Sequence, residues 1–373
     1  MFMYTIPHAC PVDNGTDSGV SEPGGYNAAD TAQTALPDGP APAAGAPVRV
    51  GGRQFASLVR LAERFGLVLL WIMVAVIFSL LAPATFPTVA NFSTIFGTQA
   101  VLLVLALGLL VSLSVGEFDL SVASVMGFSA VLVALLSAQD HWPLLAAIAV
   151  TLAAGVAVGA VNALLIVRGG ISSFVVTLGT GTLLIGLGYG MSNSETIGGI
   201  PSGLVTAVTK QFLDLPLAFY YGVALCFLLW YVFNYVPLGR HMVFVGEGRE
   251  VARLSGLRVQ RIRAGALITG SLIATVAGIM QAGVVGAADP SGGPTFLLPA
   301  FASAFLGATA IRPGRFNAWG TFVAVYFLVT GITGLQLLGY TGWVQNVWYG
   351  GSLIVAVAVA RFAEVRRRAA AGT

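Results

Sequence analysis

Apolar residues in this chain fall into long continuous runs separated by short polar breaks, without the alternation that marks a half-buried strand. Ten runs are read, at about 65–84, 92–115, 120–138, 144–167, 174–191, 217–236, 264–285, 296–311, 319–338 and 344–360. A helix needs roughly 20 apolar residues to cross a bilayer, so each run predicts one spanning helix. The eighth run is short and interrupted by Pro299. A membrane β-barrel is excluded, because its strands alternate over about ten residues. The pattern predicts an all-α membrane protein with about ten transmembrane helices.

The polar breaks orient these helices. The stretch 237–263, PLGRHMVFVGEGREVARLSGLRVQRIR, is the longest strongly basic interruption, holding six arginines against Glu247 and Glu250. Cytoplasmic loops concentrate Lys and Arg. With the N-terminus inside and strict alternation, the inward breaks hold Arg168, those six arginines, Arg312, Arg315 and Arg366 to Arg368. The outward breaks hold only Lys210. Nine or eleven spans would divide the arginine clusters between the two sides, so both termini are expected in the cytoplasm. An even count divides into two halves of five that enter from opposite sides, the inverted-topology arrangement of many transporters. Each half carries one polar break with an aspartate, Glu117-Phe118-Asp119 and Asp289-Pro290-Ser291, although their spacing does not match.

Composition agrees and adds the tails. Hydrophobic residues make up 57% of the chain and charged residues 9%, against about 25% charged in soluble domains. Too few charges remain to cover a soluble surface of this size. Residues 1–55, rich in Gly, Pro, Ala, Asp and Ser, predict a disordered cytoplasmic tail. They lack the basic flank and apolar core of a signal peptide. Residues 56–363 are expected to form the membrane domain, with 237–263 as its main cytoplasmic loop and 364–373 as a basic cytoplasmic tail. Cys10 and Cys226 have neither metal-binding nor convincing disulfide spacing.

Candidate chemistry is sparse. Glu117 and Asp119 lie between two apolar runs with hardly any loop. Either Asp119 caps the third helix at the cytoplasmic interface, or the pair lines a path inside the membrane, where ionised groups are costly and usually functional. The cap is preferred, because caps are common and intramembrane acids rare. Asn162, Thr177, Thr180, Thr182 and Gln281 are polar groups inside runs, suited to bonding a neighbouring helix or a hydroxylated substrate. The spacings Gly155 to Gly159 and Gly186 to Gly190 allow close helix contact. No catalytic or metal motif is present. A phosphate-binding loop needs Lys followed by Ser or Thr, and the one lysine, Lys210, precedes Gln211. ATP-driven transport would therefore need a separate ATPase chain. Within the basic loop, residues 250–255 form a short helix candidate between Gly248 and Gly256, with Val251 and Leu254 on one face and Arg253 on another. Taken alone, the loop reads first as an ordinary positive-inside connection.

Residues 60–361 resemble the permease subunits of bacterial ABC importers for ribose, xylose and related sugars. The matching stretches are GEFDLSVASVMGFSAVL at 116–132, GAVNALLIVRGGISSFVVTLGTGTLLIGLGYG at 159–190, VGEGREVARLSGLRVQRIR at 245–263 and LGATAIRPGRFNAWGT at 306–321. Departures are Glu117 and Phe118 where the family has Gly-Ile before the Asp, Ala123 for a Gly, and no acid in the eighth run. The resemblance implies an ABC importer permease fold in the inner membrane and alternating-access import of a monosaccharide or polyol. It implies two ATPase subunits inside, an extracytoplasmic sugar-binding protein outside, and a second permease copy, identical or not. ATP and Mg²⁺ would bind the ATPase, no cofactor would bind this chain, and no nucleic acid is expected. Glu250, Val251, Arg253, Leu254, Ser255 and Gly256 become the expected ATPase-coupling helix. Glu117, Asp119, Ser121, Asn162, Thr177 and Thr180 become the expected substrate path. The alternatives are a proton- or sodium-coupled carrier using Glu117 and Asp119, and a membrane-embedded enzyme, which lacks any catalytic constellation.

Overall fold

In the computed structural model, described residues are 51–340 and 342–371, with side chains described for 65–340 and 342–358. The expected disorder of residues 1–50 lies outside them. The described residues are mostly helical, and seven of their helical segments are long and apolar enough to cross a membrane. These are Val89–Ser114, Val122–Gln139, Leu144–Arg168, Ser173–Met191, Leu217–Tyr235, Val259–Val285 and Ala318–Leu337. Two shorter apolar segments, Phe65–Leu81 and Gly293–Gly307, accompany them. Large apolar side chains remain exposed along the flanks, among them Leu145, Leu164, Phe174, Leu183 and Ile354, as a lipid-facing surface requires.

In chain order the helices are α1 (Gly51–Leu81), α2 (Val89–Thr98), α3 (Ala100–Ser114), α4 (Val122–Ala134), α5 (Leu144–Ala163), α6 (Ser173–Met191) and α7 (Ser202–Thr209). Then come α8 (Leu217–Tyr235), α9 (Pro237–Glu247), α10 (Arg249–Leu254), α11 (Val259–Val285), α12 (Leu297–Gly307), α13 (Ala318–Leu337) and α14 (Trp343–Ala371). Single π-turns extend α4 and α5, and a 3₁₀ turn at Gly293–Phe296 leads into α12.

Five expectations about elements are revised. Residues 51–55, placed in the tail, belong to α1, and no Gly or Pro lies between Arg53 and Phe65 to stop a helix started there. The run at 92–115 is two helices, broken at Gln99. An interruption as short as Gly97-Thr98-Gln99 leaves no clear trace in a hydrophobicity pattern. The loop 192–216, expected to face outward, contains α7. The basic stretch 237–263 is largely helical: Pro237 starts α9, whose Gly239, Met242 and Val245 turn inward at intervals of three. The basic tail continues α14 to Ala371, in keeping with its Ala, Glu and Arg content.

Helix α11 sits at the centre, packed on α3, α4 and α5. The Gly155–Gly159 spacing has the expected use. A Cβ on Gly159 would lie 2.8 Å from the Ile268 Cα, so only glycine admits α11 at this distance. Gly186 and Gly190 have nothing within 4 Å of the Cβ position and make no such crossing.

Connections gather at the two ends of the helices. At one end Arg249 bonds the Gly116 carbonyl, Arg315 pairs with Glu247, and Arg312 bonds the Asn234 side chain. At the other end Ile197–Gly198 pairs with Ala287–Ala288 as a two-residue antiparallel ladder, and Ser93 bonds the Asp214 carbonyl. The two aspartate breaks share one turn. Asp119 Oδ1 accepts from the Ser121 backbone N–H at 2.9 Å and its hydroxyl at 2.6 Å. Asp289 Oδ1 does the same with Ser291, at 2.8 Å to each. One turn lies at the end shared with Arg249, the other at the end shared with Ile197.

Candidate functional site

The α3–α4 turn, residues 115–121, is the point where the candidate residues meet. Gly246 on α9 lies so close to the Ser114 carbonyl that a side chain there would collide with the end of α3. This contact brings the basic stretch onto the turn. Glu117, almost fully buried, accepts from Arg249 Nη2 at 2.8 Å and from Arg263 Nε at 2.5 Å. Arg249 also donates to the Gly116 carbonyl at 2.9 Å. One carboxylate thus ties the first residue of α10 and the first turn of α11 to the end of α3. Glu117, one of the expected path residues, is turned into the basic stretch, where two arginines neutralise a charge that would be prohibitive alone.

The other expected path residues form one buried network. Ser121 Oγ donates to Asp119, Asn162 Nδ2 donates to Ser121 Oγ at 3.0 Å, and Thr180 donates to Asn162 Oδ1 at 2.7 Å. Thr177 Oγ1 accepts from the Leu120 N–H at 3.0 Å and donates to the Ser173 carbonyl at 2.7 Å. The network links α4, α5 and α6, and Asp119, Ser121, Asn162 and Thr177 are buried. Asp119 does not sit at the N-cap itself; it closes a turn around Ser121, the residue before α4. Burial pushes the Asp119 carboxyl above the ordinary carboxylate range, with the Ser121 hydrogen bonds opposing and Glu117 adding to the rise. Its second oxygen has no hydrogen-bond partner among the described residues.

This arrangement can hold helices together. Among described residues no cluster of His, Cys, Asp or Glu has metal-binding geometry. Replacing Asn162 by Leu is expected to remove both the donor to Ser121 Oγ and the acceptor of the Thr180 hydroxyl, and cost about 1–3 kcal/mol. Thermal unfolding of the detergent-solubilised chain would read this, with the part-buried Thr180→Val losing less. Thr182 bonds its own helix at the Leu178 carbonyl. Gln281 joins none of this and lines a separate cleft.

The surface that the clamp positions is α10. Its anchor is Ala252, fully buried, while Val251 is 58% and Leu254 86% exposed. Arg253 and Ser255 are exposed, and Ser255 caps back onto the Val251 carbonyl. Glu250 lies in the first turn, favourable at a helix N-terminus. Gly256 ends the element at φ +81°, a left-handed conformation that favours glycine. The structure therefore brings residues 250–256 together as one short helix with an apolar edge. Sequence reasoning missed Arg249 and Arg263 as its fixing points; the signal was a lone buried-side glutamate facing an arginine excess.

Residues 91–357 match the model of the family described as branched-chain amino acid transport system / permease component. The chain belongs to this family. As a permease component it is a multi-pass membrane protein and a transport component rather than an enzyme. It is 27% identical to the D-allose transport system permease protein AlsC of Escherichia coli, over 80% of this chain and 92% of the relative. It is 27% identical to the ribose import permease protein RbsC of Escherichia coli, over 83% of this chain and 97% of the relative. It is also 27% identical to the autoinducer 2 import system permease protein LsrD of Salmonella typhimurium, over 71% of this chain and 81% of the relative. No solved structure matches the chain.

Proposed function

We propose that the chain is the membrane-spanning subunit of an ATP-driven importer that carries a neutral sugar or polyol across the inner membrane by alternating access. The exposed Val251–Leu254 edge of α10 carries this reading. A hydrophobic edge on an arginine-rich end of the molecule, braced by a buried ion-pair clamp, is suited to a partner protein rather than to lipid. The partner is an ATPase, since this chain lacks a phosphate-binding loop of its own. ATP and Mg²⁺ belong to that subunit. The sugar assignment rests on the likeness to the D-allose and ribose permeases.

Ten crossings follow if α2 with α3 counts as one span and α1, α12 and α14 each cross. Both termini then lie in the cytoplasm, with α9 and α10 inside and α7 outside. The paired Asp-x-Ser turns at opposite ends support two inverted halves. A second permease copy and an extracytoplasmic binding protein complete the importer. In it, the Asp119–Asn162–Thr180 network braces α4 to α6 while Glu117 passes motion from α10 to α3. The carrier alternative is not favoured, because Glu117 is held by two arginines and the chain matches permease components over most of its length.

Purification of tagged chain from its native membranes in mild detergent tests the reading. A P-loop ATPase is expected to come with it in stoichiometric amount. A chain that emerges alone, and stays alone when the ATPase is overproduced, would refute it.

A further inference from the structure

At the end of the molecule opposite α10, a cleft of about 430 Å³ opens between the α2–α3 break, α11, the start of α12, α13 and α14. This volume falls within the roughly 300–1,000 Å³ of small-molecule sites. Four amides converge on it, Gln99, Gln281, Gln336 and Gln345, and no Asp, Glu, Lys, Arg or His lines it. Gln336 and Gln345 are exposed and Gln281 is half-buried, and the three side chains make no hydrogen bond with the described residues, so their amides are open to the cleft. Gln281 stands on the central helix α11, with its amide on the cleft and bonded to no neighbouring helix. Tyr349, only 5% exposed, also lines the cleft and has no hydrogen-bond partner among the described residues. Phe296 adds a second aromatic wall. The break between α2 and α3 falls at Gln99, on the wall of this cleft.

We propose that this cleft binds the transported solute on its way in, and that the solute is neutral and polyhydroxylated; the inference rests on the import reading above. Each sugar hydroxyl is both donor and acceptor, and an amide offers both at its tip. Four amides and a phenol match that chemistry, and the aromatic faces suit the C–H face of a ring. An amino acid fits poorly. Its ammonium and carboxylate would enter a cleft with no opposite charge, where unpaired ions are heavily penalised. Although the family description names branched-chain amino acids, the cleft selects against zwitterions.

The test uses the full chain expressed with the rest of its transport system, carrying Cys10→Ala, Cys226→Ala and Gln345→Cys. Spheroplasts are labelled from outside with a membrane-impermeant maleimide, in the presence of D-ribose, D-allose, D-xylose, sorbitol or leucine. The engineered thiol is expected to label, and at least one of the neutral compounds is expected to protect it while leucine does not. Adding Gln281→Leu should raise the half-protecting concentration about tenfold, the scale of one lost hydrogen bond in a desolvated site. Gln336→Cys serves as a second reporter if Gln345→Cys fails to accumulate. Absence of labelling at both, protection by leucine, protection by none of the neutral compounds, or no shift with Gln281→Leu would each overturn the proposal. The importer reading fails separately: if no ATPase co-purifies while sugar protection persists, the cleft stands and the motor does not.

Discussion

Leu254→Asp is expected to strip the ATPase from the purified chain while leaving the chain itself folded. Leu254 is 86% exposed at the end of a six-residue helix, so it contributes little to its own fold. Exposed substitutions usually change stability within about 0.5 kcal/mol. A central apolar contact at an interface, by contrast, is worth about 2 kcal/mol or more, roughly a thirtyfold change in affinity. A buried carboxylate would add its own desolvation penalty. Thermal unfolding of the variant should match the parent, and the ATPase band should disappear from the detergent eluate. Arg253→Ala, on another face of the same helix, should keep the ATPase. Equal recovery of ATPase with Leu254→Asp would show that α10 is not the contact.

Glu117→Gln is expected to do the reverse, retaining the ATPase but disconnecting it. The glutamate is buried and holds two arginines, of which the Arg263 side chain is 15% exposed and the Arg249 side chain 45%. Removing one partner of a buried ion pair costs about 3–5 kcal/mol. Solvent screening of Arg249 discounts its share, so a loss of about 3 kcal/mol is expected in the unfolding of the variant. Functionally, α10 keeps its apolar edge, yet its first residue and the start of α11 lose their tie to α3. ATP hydrolysis by the complex should persist, while sugar taken up per ATP falls at least several-fold. Measuring both rates on one preparation checks this. A variant with parental stability and an unchanged ratio would remove the clamp from the mechanism.

Much of the helix plan was legible because lipid-facing helices announce themselves as long apolar runs. The short helix at 250–255 was legible too, since Gly248 and Gly256 punctuate it and Val251 and Leu254 fall on one face. The break at Gln99 was not, because Gly97, Thr98 and Gln99 interrupt a run too briefly to register. The partners of Glu117 were also hidden: Arg249 and Arg263 are 132 and 146 residues away, and charge counts cannot say which arginine turns inward. Asp119, Ser121, Asn162, Thr177 and Thr180 were each visible as polar residues at or within apolar runs. Their union in one network depends on how α4, α5 and α6 cross. The cleft amides had a faint signature, single glutamines toward one end of four separate apolar runs. Each alone reads as an interfacial residue, and only packing brings them to one cleft.

Uptake by proteoliposomes separates a motor-driven importer from a carrier most directly. Vesicles holding the chain, its ATPase and its binding protein should accumulate a radiolabelled neutral sugar when ATP and Mg²⁺ are supplied on the ATPase side. Accumulation should be lost without ATP and indifferent to an uncoupler. Accumulation by the chain alone, without ATP and abolished by the uncoupler, would contradict the assignment.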